Sequence, residues 1–387
     1  MSLDFFWRLP VDGDARLKNL DLFNLTSQSG EQAGYFPAAT SHSQPKRHGF
    51  TYADHLARVA KAADAVGFRG ILVPYTPLGE EPWIISASLA LETRHLRFLP
   101  SFHTATVKPV HAARETATVQ RHTNNRFDWN IVSGGSEQLQ RRDGDFAPPE
   151  ERLRRTGEFI DIARGVLSQR EFSYQGETYS VEKGGLQEPI ANVALPSVYL
   201  SGGSEAALAL AASRADVYLT WAQPLDQLKS RIDGLREAAA KLGRTLRFGI
   251  RVDVLARPDE EQALFDAKRI WETSDRNVLR ARQALSGDDI DGGDEERAFA
   301  ASYANAGRFE DSLIERGLWA GEGVVRAGAS VVIIGSYSQV AERLNTYAEA
   351  GVDSFFLASP PHLEEAYRIG EDLLPLFGGA PLVQAAE

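Results

Sequence analysis

The sequence predicts an α/β fold, a closed (β/α)8 TIM barrel with insertions on its C-terminal face. Three observations carry that expectation. Short apolar runs recur along the whole chain of 387 residues. Amphipathic helical stretches follow most of them, as in a parallel sheet built from βα units. Three segments that break the rhythm fall after strands, where barrel folds place their loops.

Residues 3–9 form the first strand, followed by a long polar stretch, 14–49, rich in Ser, Gln and Pro. Residues 52–65 read as a helix because Leu56, Val59, Ala60 and Ala63 recur at helical spacing. Gly67 stands where a helix C-cap belongs, and 70–74 reads as a buried strand. Strands at 96–101 and 127–133 flank a helix near 110–121, and another helix spans 150–167. Aromatic and polar residues then alternate over 171–181 around Gln175-Gly176, a hairpin signal within a longer insertion, 171–195. Strands at 198–201, 217–220, 248–255 and 354–358 complete a set of eight, with helices near 205–213, 225–242, 260–273 and 338–350. The run 330–335, Ser-Val-Val-Ile-Ile-Gly, would make a ninth strand and reads instead as an extended lead into the last of these helices, outside the barrel. The stretch 14–49 and the charged segment 277–317 are candidate lids, with a plain surface loop as the alternative for 14–49. The whole chain, 1–387, then forms one domain; a doubly wound open sheet is the competing architecture.

Composition narrows the function. With no cysteine, disulfides, thiolate metal sites and cysteine nucleophiles are excluded, and a reducing cytoplasm is the expected compartment. The N-terminus carries no basic n-region and no cleavage site, and no uncharged apolar stretch reaches membrane-spanning length. A formal charge of −11, from 42 basic and 53 acidic side chains, argues against nucleic acid or an anionic membrane as the main partner. No histidine or carboxylate cluster shows metal-ligand spacing, so no metal is expected.

The candidate chemistry stands at the strand ends. One strand runs Trp129-Asn130-Ile131-Val132-Ser133-Gly134-Gly135, and another ends Leu200-Ser201-Gly202-Gly203-Ser204 directly before a helix. A glycine-rich turn opening a helix offers backbone N–H groups and a positive dipole end to a phosphate. Alone, each turn is more often a purely structural device; together on one face they favour a phosphorylated cofactor such as FMN. Asn130, Ser133, Gly134, Ser201, Gly202, Gly203 and Thr220 are therefore the candidate cofactor contacts. Trp221, ending Leu219-Thr220-Trp221, could wall a flavin ring or plug the barrel. Arg251 and Asp253, two residues apart on one strand, point to one face. On the lumen face Asp253 is a structural partner for Arg251, or Arg251 is a fork for sulfonate or phosphate oxygens. His103, just past a strand end, is a catalytic candidate against the simpler reading of a satisfied polar residue.

These motifs, in this order, resemble the luciferase-like flavin-dependent monooxygenases, and among them the alkanesulfonate monooxygenases. The resemblance runs through Phe6-Trp7…Leu9-Pro10, Gly67-Phe68…Gly70, Asn130…Val132-Ser133-Gly134, Leu200-Ser201-Gly202-Gly203-Ser204, Leu219-Thr220-Trp221 and Arg247-Phe248-Gly249-Ile250-Arg251. It continues in Leu318-Trp319-Ala320-Gly321…Val325-Arg326 and Pro361-His362-Leu363-Glu364-Glu365. It implies a two-component system: reduced FMN supplied by a separate NAD(P)H-dependent flavin reductase, O2, and a small sulfonate or related organosulfur substrate that releases sulfite. It also implies a homodimer or homotetramer. By position, Arg251 and Arg326 would bind the sulfonate or support oxygen transfer, Trp221 would help wall the pocket, and the 277–317 insertion would match a mobile lid. The chain departs from the sulfonate enzymes at Asp12, Gly79, Pro149, Leu153, Asp253 and Pro360. Those changes point to a reshaped site, and so to a non-sulfonate substrate (amide, amine, heterocycle or halogenated compound) or to a flavin-binding relative without turnover.

Overall fold

The computed structural model describes residues 3–11, 14, 51–75, 79–133, 137–188, 190–191, 193–273, 306–320 and 331–378. Both lid candidates fall largely outside these residues, as do Asp12, Gly134 and Arg326.

In chain order the first half contains β1 (Asp4–Arg8), α1 (Tyr52–Ala65), β2 (Gly70–Val73), α2 (Pro82–Ala90), β3 (Arg97–Phe102), α3 (Pro109–Thr123), β4 (Trp129–Ile131), α4 (Glu137–Arg142) and α5 (Pro149–Ser168). A hairpin, β5 (Phe172–Gln175) and β6 (Ser180–Gly184), leads into β7 (Val198–Leu200), α6 (Glu205–Arg214), β8 (Val217–Trp221), α7 (Leu225–Lys241), β9 (Arg247–Arg257) and α8 (Glu260–Thr273). The chain ends with β10 (Leu313–Glu315), β11 (Leu318–Trp319), β12 (Val332–Ser336), α9 (Tyr337–Glu349), β13 (Ser354–Ala358) and α10 (His362–Arg368).

Parallel pairing runs β1–β2–β3–β4–β7–β8–β9–β13 and back to β1, which closes an eight-stranded barrel. The doubly wound alternative is thereby excluded, and the eight strands are the eight that the sequence marks. The 330–335 run needs correction. It is a true strand, β12, paired parallel with the second half of β9 from Val332↔Asp253 to Ser336↔Arg257. It stays outside the ring because β9, eleven residues long, gives its first half to β13 and its overhang to β12.

Strand alternation divides the core into two layers. Phe5, Trp7, Ile71, Phe98, Trp129, Ile131, Phe248 and Phe355 pack outward against the helices. Phe6, Leu72, Leu99, Tyr199, Val217, Leu219 and Phe356 fill the lumen. Side chains fill barrels of this type and leave no pore. The strand ends that follow the lumen plug form the floor and rim of a mouth.

Two devices outside the barrel fix its rim. The hairpin is held to α5 by Glu158, whose buried carboxylate accepts backbone N–H groups of Glu177, Thr178 and Tyr179 at 2.9–3.0 Å. Tyr179 then donates its hydroxyl to the Thr104 carbonyl, beyond β3. Buried Arg257 at the far end of β9 donates to Asp266 of α8 at 2.5 Å and to both Glu365 oxygens of α10 at 3.1 Å. Among the described residues, no helix is long and apolar enough to cross a membrane.

Candidate active site

Charge in the lumen begins where the apolar plug ends. Gly249 faces inward, since a Cβ there would meet Ser354 and Phe356 within 3 Å. Arg251 and Asp253, at two and four residues further along the strand, share that face. The sequence puts them on one common face, and the strand phase makes that face the lumen. Trp221 is the β8 partner of Arg251 in register. The guanidinium carbon of Arg251 lies 4.1 Å from the centre of the Trp221 ring, within cation–π range. One indole face is therefore covered by Arg251, so that face does not wall a flavin. Asp253 is 1% exposed, a buried carboxylate in the same layer.

Across the mouth, Asn130 points inward from β4, its neighbours Trp129 and Ile131 belonging to the outer layer. Its Nδ2 donates to Ser101 Oγ at 2.7 Å. Its Oδ1 is buried and has no partner among the described residues. A buried acceptor of this kind costs free energy unless something supplies a donor. Ser133, two residues past the end of β4, is also buried.

The turn after β7 has the shape of an anion cradle. Gly202 has φ +132°, and a Cβ there would sit 2.7 Å from the Cβ of Ala207 in α6. Tyr218 donates its hydroxyl to the Gly202 carbonyl at 3.0 Å, and Ser204 caps α6 by accepting from Ala207 N. The backbone at Ser201, Gly202 and Gly203 is half-buried and leads into the α6 N-terminus. Thr220 is not brought to this group. It alternates with Leu219 and Trp221, so its side chain turns to the outer layer, where Gln223 donates to it at 3.4 Å.

His103 is held rather than poised. Gln140 Nε2 approaches its Nδ1 at 3.1 Å, the Val132 backbone is a second hydrogen-bond partner, and the Tyr75 ring meets it edge-on at 4.7 Å. Burial pushes its pKa down, favouring the neutral imidazole, and nearby Arg152 pushes the same way. Tyr75 in turn donates to Asp143 at 2.5 Å. His103 thus stitches together the loops after β2, β3 and β4.

Three groups escape sequence reasoning. Arg8 ends β1 on the lumen side with 5% exposure, and the logic applied to Arg251, a charge inside an apolar strand, also marks it. Arg152, buried in the first turn of α5, donates to the Ala147 carbonyl at 2.9 Å. Asp14, fully buried, binds His55 Nε2 at 2.8 Å and His362 Nδ1 at 2.7 Å. Burial alone would raise the Asp14 pKa, but the charges and hydrogen bonds of His362 and His55 hold it well below the usual carboxylate range. No sequence spacing announces that trio. Among the departures, Pro149 and Leu153 lie in the first turns of α5 and Pro360 forms a cis bond to Pro361.

A parallel eight-stranded barrel with cationic and amide side chains over an apolar lumen, and a glycine cradle at one helix N-terminus, defines a class: a barrel enzyme whose site lies at the C-terminal face. A family model described as luciferase-like monooxygenase matches residues 32–354. The chain belongs to the luciferase-like monooxygenase family and is by class a flavin-dependent monooxygenase. Its fold is shared by EDTA monooxygenase from Chelativorans sp. BNC1, with 16% identity and TM-score 0.71 over 98% of this chain and 94% of that one. Long-chain alkane monooxygenase is similar at 16% identity and TM-score 0.71, over 100% and 94% of the two chains. The oxygenating constituent of 3,6-diketocamphane monooxygenase from Pseudomonas putida, solved with FMN, matches at 16% identity and TM-score 0.63, over 97% and 99%.

Proposed function

We propose that this protein is the oxygenase of a two-component system, taking reduced FMN from a separate NAD(P)H-dependent flavin reductase. With O2 it oxygenates a sulfonate or related organosulfur compound, and sulfite leaves. The observation that carries the reading is the Arg251 guanidinium stacked on Trp221 above the apolar plug of the lumen. A planar, permanently charged fork above an apolar floor suits a ligand with an anionic head and an apolar body.

The residues present fit FMN. The half-buried glycine turn at Ser201–Gly203, at the α6 N-terminus, suits a phosphate. The Asn130 Oδ1 acceptor suits an N–H donor such as the isoalloxazine ring carries. Reduced FMN, when bound, supplies the electrons that activate O2. The chain's own part is to bind and orient. Ser201, Gly202 and Gly203 hold the phosphate, Asn130 and Ser133 meet the ring, and Arg251, with Arg326, holds the substrate anion. The lumen plug of Phe6, Leu72, Leu99 and Phe356 keeps water from entering below. We assign His103 to positioning the loops around this site.

Buried Asp253 favours a second reading. A carboxylate in the layer of Arg251 offsets part of its charge, which suits a less anionic substrate: an amide, amine, heterocycle or halogenated compound. One assay separates the two. Purified protein with an FMN reductase, NADH and a sulfonate panel should release sulfite from at least one member. Substrate-dependent product without sulfite selects the second reading, and tight FMN binding with no turnover reduces the protein to a flavin binder.

A further inference from the structure

The Asn130 amide is tied on one edge and left without a partner on the other. Ser101 of β3 stands in register with Asn130 of β4, and both side chains lie on the lumen face, Ser101 two residues beyond Leu99 of the plug. Ser101 Oγ accepts from Asn130 Nδ2 at 2.7 Å, and both residues are buried. On the other flank the register partner of Asn130 is Tyr199 of β7. The charges felt by the Tyr199 hydroxyl are those of Asp128, Arg247, Asp4 and Arg97, the ions of the N-terminal end. The carbonyl oxygen of the amide, Oδ1, stays buried with no partner among the described residues. An untethered asparagine presents either edge of its amide, because its last torsion is broad and nearly two-fold.

We propose that Ser101 is a positioning residue for Asn130: its hydroxyl holds the amide N–H so that Oδ1 is the edge offered to the N3–H of the flavin pyrimidine ring. The inference rests on the FMN reading given above and adds to it the edge of the ring that is recognised. A buried acceptor is costly whenever it is left empty. The N5–H of a flavin is present only in the reduced form, whereas N3–H persists in both oxidation states. N3–H therefore keeps Oδ1 satisfied whichever form is bound. Holding the amide in place beforehand spares the entropy of fixing it when the flavin arrives.

The test compares FMN with 3-methyl-FMN, which lacks that N–H, by equilibrium titration of flavin fluorescence on the full chain. The parent should bind FMN about ten-fold more tightly than the methylated flavin, the scale of one buried hydrogen bond. Asn130→Ala should bind the two flavins alike. Ser101→Ala leaves the asparagine in place but unties it, and should weaken FMN about five-fold with 3-methyl-FMN little changed. In the Asn130→Ala background the serine change should add nothing, because its effect passes through the amide. Losses that add, or a serine variant that weakens both flavins equally, would overturn the positioning role. Equal binding of the two flavins by the parent would overturn the proposal while leaving the FMN reading in place. A parent that binds neither flavin removes both. Should Ser101→Ala not fold, Ser101→Cys, close in shape and a far weaker acceptor, carries the same comparison.

Discussion

At the scale of single residues, burial and hydrogen bonding decide more than residue type. His103 looks like a catalytic histidine from its place after a strand, yet its ring is already hydrogen-bonded to Gln140 and the Val132 backbone. Its folded pKa lies below the ordinary 6.5, so the unfolded chain takes up the proton first as the pH falls. The contribution of His103 to stability is thus fully present above 6.5 and is lost as the pH drops below it. In urea titrations across pH 7 to 5, His103→Gln should flatten that loss relative to the parent, at a cost of about 1 kcal/mol at pH 7. A parent and variant with parallel pH profiles would show that the histidine does not titrate there. Gly202 gives the complementary case. Both its φ and the 2.7 Å approach to Ala207 forbid a side chain, so Gly202→Ala should cost about 1–3 kcal/mol and weaken FMN in a fluorescence titration. Arg251, Asp253 and Asn130 were legible in sequence because strand alternation assigns polar residues in apolar runs to one face. Thr220 alternates with Leu219 and Trp221 and so turns to the outer layer, away from the lumen face. Gln140 and Asp143 became partners of His103 and Tyr75 only through the folding of α4 over the mouth.

At the scale of elements, polar anchors fix pieces that apolar contact alone would leave loose. The strands could be read because both of their faces are buried, which makes them short continuous apolar runs. The α2 helix could not, because Pro82–Ala90 is apolar nearly all round and shows no helical period. The α10 helix is only seven residues long, and its place depends on Asp14, 348 residues away in sequence. That carboxylate accepts from the His362 backbone and side chain and also holds His55 of α1, so it joins β1's exit to two helices. Asp14→Ala leaves two buried imidazoles without their shared acceptor and should cost about 3–5 kcal/mol in denaturant unfolding. Asp14→Asn should also remove part of the acid limb. The depressed pKa means that stability is present above 3.8 and is lost as the pH falls below it. A variant as acid-sensitive as the parent would place the acid limb on other carboxylates.

At the scale of the whole molecule, the two ends of the barrel carry different kinds of charge. At the N-terminal end the ions are closed on one another: Arg97 grips both oxygens of buried Asp128 at 2.7 and 2.8 Å, and Arg247 meets Asp4 at 2.7 Å. At the C-terminal end Asn130 Oδ1 has no partner among the described residues. A buried acceptor left open costs stability unless a ligand completes it, so Asn130 is a residue whose loss a bound ligand should feel. Substitutions at the two ends should therefore separate cleanly. Arg97→Met strands the Asp128 carboxylate and should cost about 3 kcal/mol of stability with FMN affinity unchanged, provided the assay stays well below the new unfolding midpoint. Asn130→Ala should do the reverse. Removing an already half-satisfied amide changes the urea midpoint little, while FMN binding, followed by flavin fluorescence, should weaken by about ten-fold for one lost buried hydrogen bond. If Asn130→Ala instead lowered stability and spared FMN, the orphaned oxygen would belong to the packing of the barrel, and the cofactor would have to be held from the β7–α6 turn alone.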